Sequence, residues 1–127
     1  MIRSVLAVLA GIAFLTATSF AIEAAADPLL MRWLALPDRA GLQHNAWAEI
    51  VLFLYTSACV AGGGYVTAWL APRGPIGHAL IMGAVQAGLT VVAMFSLREQ
   101  APLANWIVSI VLTVPVAWCG GVLRARP

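Results

Sequence analysis

Residues 50–97, IVLFLYTSACVAGGGYVTAWLAPRGPIGHALIMGAVQAGLTVVAMFSL, decide the fold because they carry a single formal charge. That charge is Arg73, in the turn-forming sequence Pro72-Arg73-Gly74-Pro75. The uncharged runs on its two sides, residues 50–72 and 74–97, each exceed the ~20 residues with which a helix crosses a hydrocarbon core of ~30 Å. The stretch therefore predicts a hairpin of two membrane-spanning helices.

Two further uncharged runs flank this hairpin, at residues 4–22 and 100–123. None of the four runs alternates polar and apolar residues as a membrane β-strand does. We therefore predict an all-α protein, a four-transmembrane-helix up-down bundle with a short interfacial helix in the first loop. Residues 1–127 form a single transmembrane domain, with helices expected at about residues 4–26, 46–71, 76–97 and 102–123.

The first run also resembles a secretory signal peptide, since Arg3 precedes it and the alanines at positions 24–26 follow it. Its apolar stretch is longer than the ~7–15 residues of a signal-peptide core, so we expect it to be retained as a transmembrane helix. Asp27-Pro28 is expected to end that helix, and residues 28–36 to form the interfacial helix.

The composition indicates a lipid rather than an aqueous environment. Hydrophobic residues make up 62% of the chain and charged residues 9%, against roughly half and roughly a quarter in soluble domains. The net charge of +2 and the lack of a basic cluster in the sequence argue against nucleic acid as a partner. Cys59 and Cys119 lie in apolar runs without metal-site spacing, so we expect no metal and no cofactor.

Arginine counts predict the orientation, because cytoplasmic loops are enriched in basic residues. One side of the predicted bundle holds four arginines and the other three, which favours both termini in the cytoplasm. Trp47 and Trp69 bracket the second helix 22 residues apart, or ~33 Å of helix, which matches two aromatic belts. The four arginines are Arg3, Arg73, Arg124 and Arg126, and the three are Arg32, Arg39 and Arg98.

Membrane helices associate through close contact between small residues. Such residues follow helical spacing on the second and third helices, which we therefore expect to pack most closely against each other. The packing residues are Gly62, Gly63, Gly64 and Ala68 on the second helix and Ala79, Gly83 and Ala87 on the third. Pro115 is expected to kink the fourth helix, with Thr113 or a neighbouring polar group bonding the freed carbonyl of Val111.

Four polar residues have both a structural and a functional interpretation. Glu23 and Glu49, near one rim, are expected to be solvated or paired with Arg32, Arg39 or His44. The alternative is a carboxylate pair that binds a cation or relays protons. Gln86 makes an interhelical hydrogen bond or, with Thr90, lines a polar pathway. His78 is a structural histidine bonded to Tyr65 or Thr67, or else a metal or tetrapyrrole ligand. The structural interpretation is favoured for all four.

Catalytic sequence motifs such as HExxH, GxSxG, the P-loop and GxGxxG do not occur in the chain. We therefore predict no catalytic residue and no enzymatic activity. The expected function is that of an accessory, structural or assembly subunit that packs against itself or a larger membrane complex. The alternative is a small transporter or channel that works as a homo-oligomer, with Glu23, Glu49, Gln86 and His78 along its path.

Residues 61–73, AGGGYVTAWLAPR, lead into His78-Ala79-Leu80, and residues 119–124, CGGVLR, close the last helix. This pattern resembles small uncharacterised four-helix bacterial inner-membrane proteins. In those proteins a Gly-Gly-Tyr helix end leads through a Pro/Arg turn into the third helix. The resemblance implies a multi-pass topology in a bacterial inner membrane, and it implies no activity.

Overall fold

The computed structural model describes residues 1–126, apart from the side chains of Ala40 and Gln43. Four of its helices are long and apolar enough to cross a membrane, which confirms the predicted all-α bundle of four spanning helices. The elements are α1 (Ile2–Trp33), α2 (Arg39–His44), α3 (Ala46–Leu70), α4 (Pro75–Ser96) and α5 (Leu103–Ala125), with a 3-10 turn at Arg98–Gln100.

The first helix is longer than its sequence suggested. α1 has 32 residues and continues through Asp27 and Pro28 to Trp33. An internal proline removes one backbone donor but does not force the chain out of the helix when the surroundings hold it. Asp27 lies inside α1 rather than at its end. Its side chain is buried and forms an ion pair with Arg39. The prediction that Asp27-Pro28 ends the helix is therefore wrong, as is the separate interfacial helix at residues 28–36.

The first loop does contain a short helix, but it lies further along the chain. α2 begins after Asp38, whose carboxylate accepts a hydrogen bond from the backbone N–H of Gly41 at 2.9 Å. Asn45 caps α3 in the same way, accepting from the backbone N–H groups of Trp47 and Ala48 at 3.1 and 3.2 Å. These side chains satisfy donors that the first turn of a helix leaves unpaired. Capping residues, rather than apolar residues, mark where the loop becomes helical.

The turn between α3 and α4 lies where the Pro/Arg/Gly sequence placed it. Gly74 has φ 61° and ψ 61°, a left-handed conformation that glycine adopts without steric cost. Pro75 follows as the first residue of α4, where its missing N–H removes no helical bond. The connection therefore reverses the chain within a few residues.

Both helices of the hairpin, α3 and α4, pack against α5. It contacts both α4 and α3 more extensively than α3 contacts α4, so the prediction that α3 and α4 pack most closely is wrong. A Cβ added at Gly64 or Gly120 would overlap the backbone carbonyl of Ala117 or Ala61, respectively. The backbones of α3 and α5 therefore touch at these two glycines.

The small residues of α4 also face α5. A Cβ added at Gly83 would lie 2.9 Å from the Cβ of Ala117, and one at Gly121 would lie 2.6 Å from the Cβ of Ala79. Ala68 of α3 is buried, and Ala87 of α4 is partly exposed. Ala79 and Gly83 of α4 therefore lie against the last helix.

α1 packs on a different face of α3. A Cβ at Gly11 would overlap the hydroxyl of Thr67 and would lie 2.7 Å from the carbonyl oxygen of Gly63. Gly62 faces the ring of Phe14, 2.8 Å from a Cβ built there. Within the triplet, Gly64 therefore packs against α5, whereas Gly62 and Gly63 pack against α1.

Pro115 lies inside α5, as the sequence requires, but its polar neighbour acts differently from the prediction. The hydroxyl of Thr113 donates to the carbonyl of Ser109 at 2.6 Å and not to that of Val111. A threonine hydroxyl in a helix commonly bonds the carbonyl four residues earlier, which is the bond formed here. Thr113 is therefore not the group that bonds the Val111 carbonyl, and that part of the prediction is wrong.

Candidate functional site

The two ends of the bundle differ in charge. All five acidic residues of the chain lie at the end formed by the last turns of α1, the start of α3 and the α4–α5 turn, which we call the acidic end. The opposite end, which we call the basic end, carries four arginines and no acid among the described residues. The acids are Glu23, Asp27, Asp38, Glu49 and Glu99, and the arginines of the basic end are Arg3, Arg73, Arg124 and Arg126.

Arg39 joins two carboxylates at the acidic end. Its Nη2 lies 2.8 Å from Oε2 of Glu23, and its Nε lies 2.9 Å from Oδ2 of Asp27. Glu23 and Asp27 are one helical turn apart on α1, so their charges would repel each other without a cation between them. The side chain of Arg39 is 66% exposed and that of Asp27 is 10% exposed. The arginine therefore stabilises a buried carboxylate from a solvent-facing position.

A cleft of about 560 Å³ opens beside this ion pair. We call it the acidic cleft, since Glu23 and Glu49 line it and Asp27 lies behind Arg39. Its volume falls within the ~300–1,000 Å³ range of small-molecule pockets. α1 and α2 contribute Glu23 and Arg39, α3 contributes Glu49, Leu52, Phe53, Tyr55 and Thr56, and the α5 side contributes Gln100, Ala101, Asn105, Trp106 and Ser109.

The walls of the acidic cleft combine aromatic rings with polar groups. Tyr55 lines the cleft together with Glu23 and Arg39. The indole Nε1 of Trp106 is buried and has no hydrogen-bond partner within the described residues. Oδ1 of Asp27 is also buried and has no hydrogen-bond partner among the described residues. Unsatisfied buried groups cost ~1–3 kcal/mol each, so a bound polar ligand or water at either atom would stabilise the protein.

Two of the four predicted polar residues meet in this cleft. Glu23 and Glu49 both line it, and Glu23 pairs with Arg39, one of the partners that the sequence allowed. Gln86 does not line it, and the backbone carbonyl of Gln86 accepts the hydroxyl of Thr90 at 2.9 Å.

His78 lies at the basic end, away from the other three residues. Its Nδ1 is 3.0 Å from the carbonyl oxygen of Gly74, on the first turn of its own helix, rather than bonded to Tyr65 or Thr67. This contact places the donor proton on Nδ1, because a carbonyl oxygen only accepts. Among the described residues, no group of three or more His, Cys, Asp or Glu side chains is arranged to hold a metal ion.

Several residues in or beside the cleft escaped prediction, although helical spacing could have indicated them. Asp27 follows Glu23 by one turn, and Thr56 follows Glu49 by two turns, so each pair shares a helix face. Asn105 and Ser109 are likewise four residues apart on α5. The polar faces of three helices were therefore visible in the sequence, but which faces turn towards each other was not.

Comparison with known proteins finds no matching family model, no similar curated protein and no similar solved structure. The resemblance to small four-helix membrane proteins thus rests on the quoted residues alone. The fold and its four apolar helices define the class of this chain, which is a multi-pass integral membrane protein of helical-bundle type.

Proposed function

We propose that the chain is a non-catalytic membrane protein that binds an organic cation in the acidic cleft. Two carboxylates line this cleft and a third lies behind it, against one arginine, so a bound cation would meet uncompensated negative charge. Phe53, Tyr55 and Trp106 add ring faces, which attract ammonium groups. The excess of carboxylates in an aromatic-lined cleft is the observation that carries the proposal.

A cation with an apolar part suits these walls better than a bare metal ion. The cleft mixes Leu52, Phe53 and Trp106 with its acids, and the described residues offer no cluster of metal-type ligands. Small-molecule sites commonly combine apolar walls with a few placed charges. An alkyl or aryl ammonium compound would use both kinds of surface.

Benzyltrimethylammonium tests this proposal against neopentylbenzene, its neutral isostere of the same shape. Because a ligand that binds the folded state raises its stability by ~2.7 kcal/mol at one hundred times Kd, we expect the ammonium compound to raise the melting temperature in detergent. Glu49→Gln should reduce this effect, whereas Glu99→Gln, a change at an exposed acid outside the cleft, should not. Equal stabilisation by the neutral isostere, or an unchanged response in Glu49→Gln, would contradict the proposal.

An accessory role in a membrane assembly, with a second copy of the chain or another subunit as partner, is the second candidate function. The outward face of α4 supports it, because Gly77 and Gly88 face open space and Ala84 is exposed. Small residues on a lipid-facing surface allow another helix to approach closely. Purification in mild detergent, with the particle mass measured and co-eluting subunits identified, tests this candidate. A monodisperse single protomer would count against it.

A transport role has weaker support than binding. The cavities at the two ends of the bundle share no lining residue, and neither is lined by Gln86 or His78. We further propose that the chain resides in a bacterial inner membrane with both termini in the cytoplasm. The four arginines at the basic end support this orientation.

A further inference from the structure

A second cavity, of about 440 Å³, lies at the basic end. It is bounded by the end of α3, the turn into α4 and the last residues of α5. Arg73, Arg124 and Arg126 all line it. Three arginines, one from the α3–α4 turn and two from the end of α5, therefore line one opening, which we call the basic pocket.

Among the described residues, no acidic side chain lies at the basic end to neutralise the basic pocket. All five acidic residues lie at the acidic end, at the other end of the spanning helices. The carboxyl ends of α3 and α5 do present partial negative charges here, about half an elementary charge each. The positive charge of three arginines exceeds the partial negative charge of these two helix ends. The amino end of α4, beginning at Pro75, adds further partial positive charge. The net field of the pocket attracts an anion.

The depth of the basic pocket identifies the kind of anion. Trp69 lines the pocket and is 61% exposed, the position of a tryptophan in an interfacial belt. Leu70 and Leu123, which adjoin the lining residues Trp69 and Arg124 in the chain, are also exposed apolar residues. A ligand here would have its charged group among the arginines and its apolar part along these side chains. A phospholipid has this construction, with a phosphate at the level of the tryptophan belt.

We propose that the basic pocket binds the headgroup phosphate of an anionic phospholipid. Arginine presents paired N–H donors that match two phosphate oxygens, and three arginines together can surround one phosphate group. Basic pockets between helix ends on the cytoplasmic side are suited to such headgroups. This site is independent of the acidic cleft, so either proposal can fail while the other stands.

Native mass spectrometry of the full-length protein in a neutral detergent tests the site. Phosphatidylglycerol is titrated against phosphatidylcholine with the same acyl chains, because only the first carries net negative charge. We expect phosphatidylglycerol to bind at least about tenfold more tightly, since each arginine near the surface contributes roughly a fivefold factor. Raising the salt concentration should weaken this preference, because the pocket is open to solvent.

Single variants Arg73→Gln, Arg124→Gln and Arg126→Gln should each weaken phosphatidylglycerol binding about fivefold. Arg98→Gln, at an exposed arginine of the acidic end, is the matched control and should leave binding unchanged. All four side chains are exposed, so the variants should keep the elution volume and helical content of the parent protein. Equal binding of the two lipids, or an equal loss in Arg98→Gln, would overturn the proposal. Competition by inorganic phosphate at the same concentration as the lipid would assign the pocket to a soluble anion and overturn it as well.

Discussion

At the scale of single residues, Arg39 is the side chain on which the acidic end depends. Replacing it by glutamine leaves Glu23 and Asp27 adjacent, with Asp27 still buried and its charge uncompensated. Losing the partner of a fully buried charge costs ~3–5 kcal/mol, but Arg39 is mostly exposed, so solvent reduces the loss. We expect Arg39→Gln to lower the free energy of unfolding by about 1–2 kcal/mol.

Unfolding by sodium dodecyl sulfate in mixed micelles measures this change. Arg32→Gln is the control, because Arg32 is an exposed arginine in the last turn of α1 without an ion pair among the described residues. In an Asp27→Asn background the loss caused by Arg39→Gln should become smaller, since the buried charge is gone. The same loss in both backgrounds would show that Arg39 does not act through Asp27.

At the scale of elements, the contact between α3 and α5 depends on glycine. A Cβ at Gly120 would overlap the backbone carbonyl of Ala61, which no side-chain rotation can relieve. Overpacking a tight core costs ~1–3 kcal/mol, so Gly120→Ala should destabilise the bundle by about this amount. Gly88→Ala is the matched control, because nothing lies within 4 Å of a Cβ built there. If thermal unfolding in detergent showed equal melting temperatures for the two variants, this helix contact would not exist as described.

The sequence predicted the elements better than it predicted their partners. Charge-free runs and the Pro72-Arg73-Gly74-Pro75 turn located the hairpin, because a spanning helix needs length and apolarity that few other structures require. The end of α1 escaped prediction because the ion pair with Arg39 is a tertiary contact. Small residues indicated which helix faces form contacts, but not which helix each face contacts. Gly83, for example, was expected to face α3 but packs against α5.

At the scale of the whole molecule, the charge separation behind the candidate sites could be predicted from the sequence, but the cleft itself could not. The separation of acids from one group of arginines is a property of the sequence, because topology follows once the four spans are known. The acidic cleft is not, since it needs the faces of α1, α3 and α5 to turn towards one another. Glu23 and Glu49 were predicted as site residues from their positions in the sequence. Trp106 and Asn105 could be assigned to the cleft only from the packed bundle.

The orientation of the bundle can be tested with a membrane-impermeant maleimide on intact bacterial cells. Of the native cysteines, Cys59 is buried and Cys119 is exposed within α5, so both are first replaced by alanine to give an unlabelled background. Glu99→Cys places a thiol in the exposed turn of the acidic end, and Pro72→Cys places one in the exposed turn of the basic end. We propose that the basic end, with its four arginines, lies in the cytoplasm. On that proposal, Glu99→Cys should react in intact cells and Pro72→Cys only after permeabilisation. The reverse pattern would place the acidic cleft in the cytoplasm, where it would be open to intracellular cations instead of extracellular ones.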